Sequence, residues 1–473
     1  MERRTQSRRR QQCAGLFFQL YNVLFVFFQA SVLIYAWCMI QAGYGPYAQT
    51  TLMLTFIFLL CLVSLLRTYG ALEVGRKRIL DLFIGQFLSI CVSDGVVFLS
   101  AILVIKQLPH IGIILVALLI QLAFSLVWSF SANSLYFRWF PPKRVAILYI
   151  DENAYESMSE LHLSSTRFQA ERIINLRGLE SRLPEILGQL DDLDGVFLCG
   201  LPASMRNDLM KELVSRDLDV YVRPKISDVL LCTAQQKYMF HVPMLSYEGI
   251  HHSLLLRAGK RLMDIVVSAV ALILTSPVMV VVAVLIKRED GGPVFYRQDR
   301  LTRGGRIFRI MKFRSMRTDA EKDGVARLAS CDDDRITKVG RFIRATRIDE
   351  LPQLLNILKG DMSLVGPRPE RPEIAAQYEE LLPEFKLRLR VKAGLTGYAQ
   401  VNGKYNTTPY DKLQMDLIYI STMSIPNDLK ILLQTAQILF QKDSTEGVAE
   451  GQVTANSVAS HHKVFEYIYH NVD

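Results

Sequence analysis

None of the seven cysteines forms a Cys-x-x-Cys pair, and no His/Cys spacing matches a zinc site, so the chain carries neither a zinc module nor a disulfide framework. Cys13, Cys38, Cys61 and Cys91 lie in or beside apolar runs and read as reduced, structural residues. A second absence concerns glycine. The first strand-like run after the apolar N-terminal part, Val145 to Ile150, is followed by Asp151-Glu152-Asn153-Ala154, with no glycine and two negative charges. A dinucleotide needs close backbone amides at that turn, so a dinucleotide cofactor is not expected. What the chain has in abundance is apolar sequence: 50% of its 473 residues are hydrophobic, with a formal net charge of +9, and it is long enough for more than one domain.

Four stretches, 16–40, 48–66, 80–105 and 111–137, are each able to cross a hydrocarbon core of roughly 30 Å as helices. The first is too long for a signal-peptide core and is expected to remain as an anchor. Five arginines precede the first stretch; Arg67, Arg76, Lys77 and Arg78 follow the second, and Arg138, Lys143 and Arg144 the fourth, whereas the other two loops hold only Lys106. By the positive-inside rule the N-terminus and the chain after Phe137 face the cytoplasm, as in a multi-pass protein of the inner membrane. Topology and anionic membrane lipid account for these clusters, so nucleic acid is not expected as a partner. Asp94 lies between apolar residues of the third stretch and has two open readings, a functional site or a hydrogen bond inside a helix bundle.

From Arg144 the pattern becomes that of a soluble α/β domain. Short apolar runs at 145–150, 173–176, 195–199 and 220–222 suit buried strands, with helix-like segments at 180–190 and 203–216 between them. The alternation predicts a small parallel sheet of Rossmann type. Regulation, formation of a homodimer and spacing are all open as its role. A second membrane element follows at 262–286, with Ser276-Pro277 near its middle and Lys260, Arg261, Lys287 and Arg288 at its ends. Proline removes a backbone donor, so the segment is either a kinked crossing or a helix broken at Ser276-Pro277 that returns to the face it entered, the serine hydroxyl satisfying freed backbone. Hydropathy does not separate the two.

The densest chemistry lies further on. Arg344-Ala-Thr-Arg-Ile-Asp349-Glu350-Leu-Pro352 sets two adjacent carboxylates among arginines. Asp349 is a candidate N-cap of a helix running to about Gly360, with Glu350 and Pro352 in its first turn and Gly360 as its stop. A helix start of that kind attracts phosphate and keeps a carboxylate ionised; capping alone is the plainer account. Residues 287–317 hold ten basic residues against three acidic. Lys312 and Arg314, separated by Phe313 in an alternating stretch, share a face and can reach one anion.

These motifs recur in order with others: Lys260-Arg261-Leu-Met-Asp264, Ser276-Pro277, Gly292-Pro-Val-Phe-Tyr-Arg-Gln-Asp-Arg300, Gly360-Asp-Met-Ser-Leu-Val-Gly-Pro367-Arg368-Pro369 and Gly394-Leu-Thr-Gly397-Tyr-Ala-Gln-Val-Asn402-Gly403. Together they resemble the bacterial sugar transferases that move a sugar 1-phosphate from a nucleotide sugar onto a polyprenyl phosphate, over roughly the last two fifths of the chain. The resemblance, to the long form of that superfamily, implies three parts: a four-helix membrane bundle at 1–140, a Rossmann-like cytosolic domain at 141–250, and an α/β catalytic domain at 255–473 with a re-entrant helix at 260–288. It also implies the reaction. Asp349 attacks a UDP-sugar, UMP leaves, and undecaprenyl phosphate collects the sugar phosphate from the aspartyl intermediate. Glu350 would help hold Mg2+, Lys312, Arg314 and Arg344 would meet phosphate, and Arg368 between Pro367 and Pro369 would meet the uridine or its phosphate. Gly394 to Gly403 would close over the site. Glucose is the first expectation for the sugar, ahead of galactose or an N-acetylhexosamine. The competing expectations are a glycosyltransferase that releases UDP and a non-catalytic scaffold of a polysaccharide assembly complex.

Overall fold

The structure, a computed structural model, describes residues 2–41, 48–106, 108–151, 167–179, 182–232, 234–239, 241–247, 253–318, 335–403 and 407–438. Cys13 lies outside the described side chains, and Glu152, Asn153 and Ala154 lie outside the described residues. The chain divides into two compact units, one ending at Arg223 and the other starting at Pro224.

The first unit opens with helices α1 (Glu2–Gln41), α2 (Ala48–Thr68), α3 (Ile79–Ile105) and α4 (Ile111–Trp139). Their segments Gly15–Ile40, Thr50–Thr68, Ile79–Val104 and Ile111–Trp139 are long and apolar enough to cross a membrane, within two residues of the boundaries expected from hydropathy. α1 packs on α2 and α4, and α3 on the same two. Phe25, Phe58, Leu62, Leu82, Ile90 and Ala132 are buried, while Phe27, Phe56, Leu99, Leu103 and Leu119 face outward, as a lipid solvent permits. The interior also holds neutral polar groups. Gln29 donates to Ser125 Oγ at 3.2 Å, Gln121 donates to the Gln29 carbonyl at 3.3 Å, and Ser129 donates to Gln86 Oε1 at 3.2 Å. Asp94 is buried among these helices.

Strands β1 (Lys143–Tyr149) and β2 (Phe168–Asn175), helix α5 (Leu183–Gln189), strand β3 (Gly195–Cys199), helix α6 (Ala203–Ser215) and strand β4 (Asp219–Val222) complete this unit. The strands form one parallel sheet in the order β2-β1-β3-β4, with Ile147 opposite Ile173 and Phe197. Val145 to Leu148 are all buried, which is why β1 reads as an unbroken apolar run rather than an alternating one. Leu187, Leu209 and Leu213 cover the sheet.

The second unit starts with helix α7 (Ile226–Cys232), whose Ile226 and Val229 join the core of this unit, and the hairpin β5 (Gln235–Met239) and β6 (Val242–Ser246). Helix α8 (Leu254–Asp290) runs 37 residues without interruption, from the Ser253 cap to Gly291 in the left-handed conformation. Helical backbone thus continues through Ser276-Pro277, where the break is expected. Pro277 leaves the Ile273 carbonyl without its helical donor, and the Ser276 hydroxyl donates to that carbonyl at 2.7 Å. Lys260 and Arg261 are not merely charges flanking a membrane segment. Lys260 donates to the Val365 carbonyl and to Tyr419 Oη and pairs with Asp428, while Arg261 donates to the carbonyls of Ile357 and Leu358 at 2.6 and 2.7 Å. Buried Asp264 accepts from Ser363 Oγ and the Leu364 amide at 3.0 and 2.9 Å. Toward its other end α8 buries Val282 and Ile286 against Phe313 and Ile343.

The remaining elements are the antiparallel pair β7 (Phe295–Leu301) and β8 (Ile307–Phe313), helix α9 (Lys338–Ala345), a 3-10 turn at Ile348–Glu350, helix α10 (Gln353–Lys359), strand β9 (Ser363–Val365), helix α11 (Pro372–Leu381), a 3-10 segment at Pro383–Arg390, strand β10 (Gly394–Thr396), and helices α12 (Tyr398–Asn402), α13 (Pro409–Ser421) and α14 (Ile425–Ile438). Phe308, Ile310, Leu354, Ile357, Leu364, Leu413, Leu417 and Ile420 form the core.

Candidate active site

Asp349 is not a helix N-cap. It sits in the 3-10 turn Ile348–Glu350, and α10 begins only at Gln353, after Pro352. The turn is set by Arg347, whose φ of 56° is unusual for a residue with a side chain, and by the Glu350 amide donating back to the Arg347 carbonyl at 3.2 Å. The helix ends at Gly360 as expected, with φ at 91° and its amide on the carbonyls of Asn356 and Ile357. Asn356 ties α10 to β8 by accepting from the Met311 amide and donating to the Arg309 carbonyl, at 3.0 and 2.9 Å.

In β8 the alternation places Lys312 on the same face as buried Phe308 and Ile310, and its ammonium donates to Glu350 Oε1 at 2.9 Å. The strand ends at Phe313, so the two-residue spacing no longer governs Arg314. That guanidinium is buried and paired with Asp290 at the end of α8. Lys312 and Arg314 thus reach two different carboxylates rather than one shared anion.

Arg368 supplies the second cation on Glu350 Oε1, at 2.8 Å. Pro367 and Pro369 are buried on either side of it, while its own side chain is 43% exposed and so open to a ligand. The strand pair β9 and β10 lies beneath this loop. Gly394 donates to the Pro367 carbonyl at 2.9 Å, and a Cβ on Gly394 would fall 2.1 Å from the Gly366 amide nitrogen. The expected closing loop at Gly394 to Gly403 is instead the paired strand β10 at Gly394–Thr396, which supports the Arg368 loop, followed by helix α12 at Tyr398–Asn402. Arg344, in the last turn of α9, has no ion pair or side-chain hydrogen bond among the described residues, and its charge acts on Asp349.

The adjacent carboxylates are driven in opposite directions. Burial pushes the Asp349 carboxyl up from its ordinary value, Lys312, Arg344 and Arg368 pulling the other way and Glu350 adding to the rise. Burial would raise Glu350 too, but Arg368 and Lys312 outweigh it and hold the carboxyl well below the usual range. Asp349 makes no hydrogen bond or ion pair to a described side chain, whereas Glu350 carries two. One carboxylate is neutralised and fixed; its neighbour is free, basic and ringed by cations. That arrangement leaves one unpaired carboxylate among cations that suit an anionic ligand.

The chain matches the family described as bacterial sugar transferase over residues 255–442. It is 43% identical over 190 residues to a UDP-glucose:undecaprenyl-phosphate glucose-1-phosphate transferase of Caulobacter vibrioides, covering 39% of this chain and 71% of that protein. A UDP-N-acetylgalactosamine-undecaprenyl-phosphate N-acetylgalactosaminephosphotransferase of Aeromonas hydrophila is 44% identical over 183 residues, 38% of this chain and 43% of its own. A UDP-glucose:undecaprenyl-phosphate glucose-1-phosphate transferase of Xanthomonas campestris pv. campestris is 37% identical over 254 residues, 51% of this chain and 52% of its own. The matched region thus spans about half the length of these last two relatives. The chain belongs to the bacterial sugar transferase family.

Some supporting residues had no visible signal in the sequence. Arg388, Asp416 and Glu370 form a charged cluster behind the Arg368 loop, and Tyr419 and Asp428 complete the Lys260 clamp. Apart from Glu370, which follows the Arg368 motif directly, they come from segments distant in the chain, so only the fold brings them together.

Proposed function

We propose that this chain transfers a hexose 1-phosphate from a UDP-sugar to undecaprenyl phosphate and releases UMP, as the first step of an exopolysaccharide or capsule repeat unit. The observation that carries the reading is the unpartnered Asp349 carboxylate beside a Glu350 already held by Lys312 and Arg368. An Asp349 oxygen attacks the sugar-bearing phosphorus; the bond from that phosphorus to the bridging oxygen breaks, and the oxygen leaves on UMP. A phosphate oxygen of undecaprenyl phosphate then attacks the same phosphorus, breaking its bond to Asp349 and regenerating the carboxylate. Arg344 and Lys312 counter the negative charge of both partners, and Arg368 that of the UDP-sugar.

Asp349 and the second oxygen of Glu350, which has no hydrogen bond from a described residue, are hard oxygen donors of the kind Mg2+ takes alongside substrate phosphate. Bound there, the ion would supply charge neutralisation at the transferred phosphate. Among the described residues no group of three or more His, Cys, Asp or Glu side chains competes for it.

We read α1–α4 as a membrane bundle, the four-stranded sheet as a Rossmann-like domain, and α8 as a re-entrant helix in the inner membrane, with the catalytic part facing the cytoplasm. Supporting the last point, Asp264 near one end of the apolar stretch and Ile286 at the other pack against the same compact unit, while Ile273 and Leu274 between them are exposed. A helix spanning the bilayer would hold those ends on opposite sides of a core about 30 Å thick.

The test uses purified full-length protein with UDP-glucose, UDP-galactose and UDP-N-acetylhexosamines. UMP, not UDP, is the expected product, and a sugar-phosphate adduct on Asp349 is expected when undecaprenyl phosphate is withheld. Asp349→Asn should lose turnover by about 10⁴-fold or more, as for other lost nucleophiles. UDP release, or full turnover by Asp349→Asn, would end this reading.

A further inference from the structure

Arg368 reaches Glu350 on a side chain that is largely free, so its aim depends on its backbone. Four consecutive carbonyls of that loop are held. Pro367 accepts from the Gly394 amide, Arg368 from Arg388 Nη2 at 3.0 Å, Pro369 from Arg300 Nη1 at 3.1 Å, and Glu370 from the Leu301 amide at 3.0 Å. Two of these four donors are buried or half-buried arginines.

Arg388 is itself over-determined. Only 5% exposed, it lies 4.8 Å from the Phe385 ring centroid, donates through Nε to Asp416 Oδ2 at 3.0 Å, and has Nη2 2.8 Å from the same oxygen and Nη1 3.5 Å from Glu370 Oε1. Asp416, on α13, is 1% exposed. Arg388 is too buried to touch a substrate, yet one planar fork joins three elements: α13 through Asp416, the 3-10 segment that bears Arg388, and the Arg368 loop. A lysine ammonium carries the same charge but cannot make these bonds in one plane.

We propose that Arg388, fixed by Asp416 and assisted by Arg300, is a positioning residue that acts through Arg368, setting where its guanidinium meets the nucleotide or phosphate of the donor. This rests on the functional reading above and extends it to residues that never contact the substrate. Its consequence is selective. Disturbing the fork should weaken recognition of the nucleotide donor and leave that of the polyprenyl acceptor alone.

The experiment compares wild type, Arg388→Lys, Asp416→Asn and Arg368→Ala, each as full-length protein, in steady-state kinetics and in UMP binding by calorimetry. Arg388→Lys and Asp416→Asn are expected to raise the KM for UDP-sugar about tenfold, the scale of one lost charged hydrogen bond, and to weaken UMP by a similar factor, with the KM for undecaprenyl phosphate unchanged. In the Arg368→Ala background, Arg388→Lys should add less than a further twofold, because the residue it acts through is gone. An unchanged KM with kcat reduced in step with the folded fraction would overturn the proposal, as would full additivity with Arg368→Ala. If Arg388→Lys does not fold, Arg300→Lys carries the same readings through the Pro369 carbonyl. A wild type that releases no UMP from any UDP-sugar sinks the functional reading instead; an active wild type with an insensitive Arg388 sinks only the positioning role.

Discussion

The helices α1–α4 and the catalytic unit both bury polar groups, but of different kinds. Inside the helices they are mostly amides and hydroxyls: Gln29, Gln86, Gln121, Ser125 and Ser129, each completely buried and joined by neutral hydrogen bonds of 3.2 to 3.4 Å. In the catalytic unit they are ions. Lys260 is paired with Asp428 and Arg388 with Asp416, each acceptor almost wholly buried and each cation making several bonds at once. An unpaired neutral group in an apolar medium costs roughly a few kcal/mol and an unpaired ion far more, so a buried ion requires a partner and dictates geometry. The helices therefore gain adhesion from their polar groups. The catalytic unit gains position.

The largest effect should come from breaking one of those ion clusters. Lys260→Met leaves Asp428 buried with only the Tyr419 hydroxyl donating to it, and should cost about 3–5 kcal/mol, read by denaturation in detergent. Lys260→Met with Asp428→Leu should recover most of it. A loss below about 1 kcal/mol for the single change would erase the contrast with the helices, since that is the scale of an ordinary hydrogen bond.

Next in size is a pH effect at the site itself. Lys312 lowers the proton affinity of an Asp349 carboxyl that burial has raised, so Lys312→Gln should move the acid limb of kcat/KM to higher pH. A limb that stays in place would mean that Asp349 does not titrate in the rate. Stability should follow the same carboxyl with the opposite sign to a salt-bridged one. A folded value raised above the unfolded one means that ionisation works against folding as pH rises through that window. Asp349→Asn, which loses activity, is thus expected to raise Tm at neutral pH and to have little effect in acid.

The smallest effect is expected in the membrane helices. Gln29→Leu removes bonds to Ser125 and to the Gln121 carbonyl, yet should cost only about 1 kcal/mol, at an average of about 0.6 kcal/mol for each such bond in lipid. A cost comparable to that of Lys260→Met would show that these helices also depend on polar geometry.

Local regularities were legible without any structure, because periodicity, length and turn residues act over a few positions. The four apolar segments, the four parallel strands and the Gly360 stop all follow from them. The order of motifs from Lys260 to Gly403 likewise pointed to the family, and Asp349, Glu350, Lys312 and Arg368 do come together. Other features depend on contacts made across long stretches of chain. The start of α10 at Gln353 follows from the strained Arg347 turn, and the diversion of Arg314 to Asp290 follows from where β8 ends. The proline in α8 is accommodated because Ser276 replaces the missing donor, an outcome the dipeptide suggested in chemistry but not in shape. Sequence alone determined which residue types stand near Asp349, since those are carried by local motifs. Only the tertiary structure decided which cation neutralises which carboxylate. Ion pairs form between nearest neighbours in space, and Lys312, Glu350, Arg368, Arg388 and Asp416 become neighbours only when strand, turn and helix pack together.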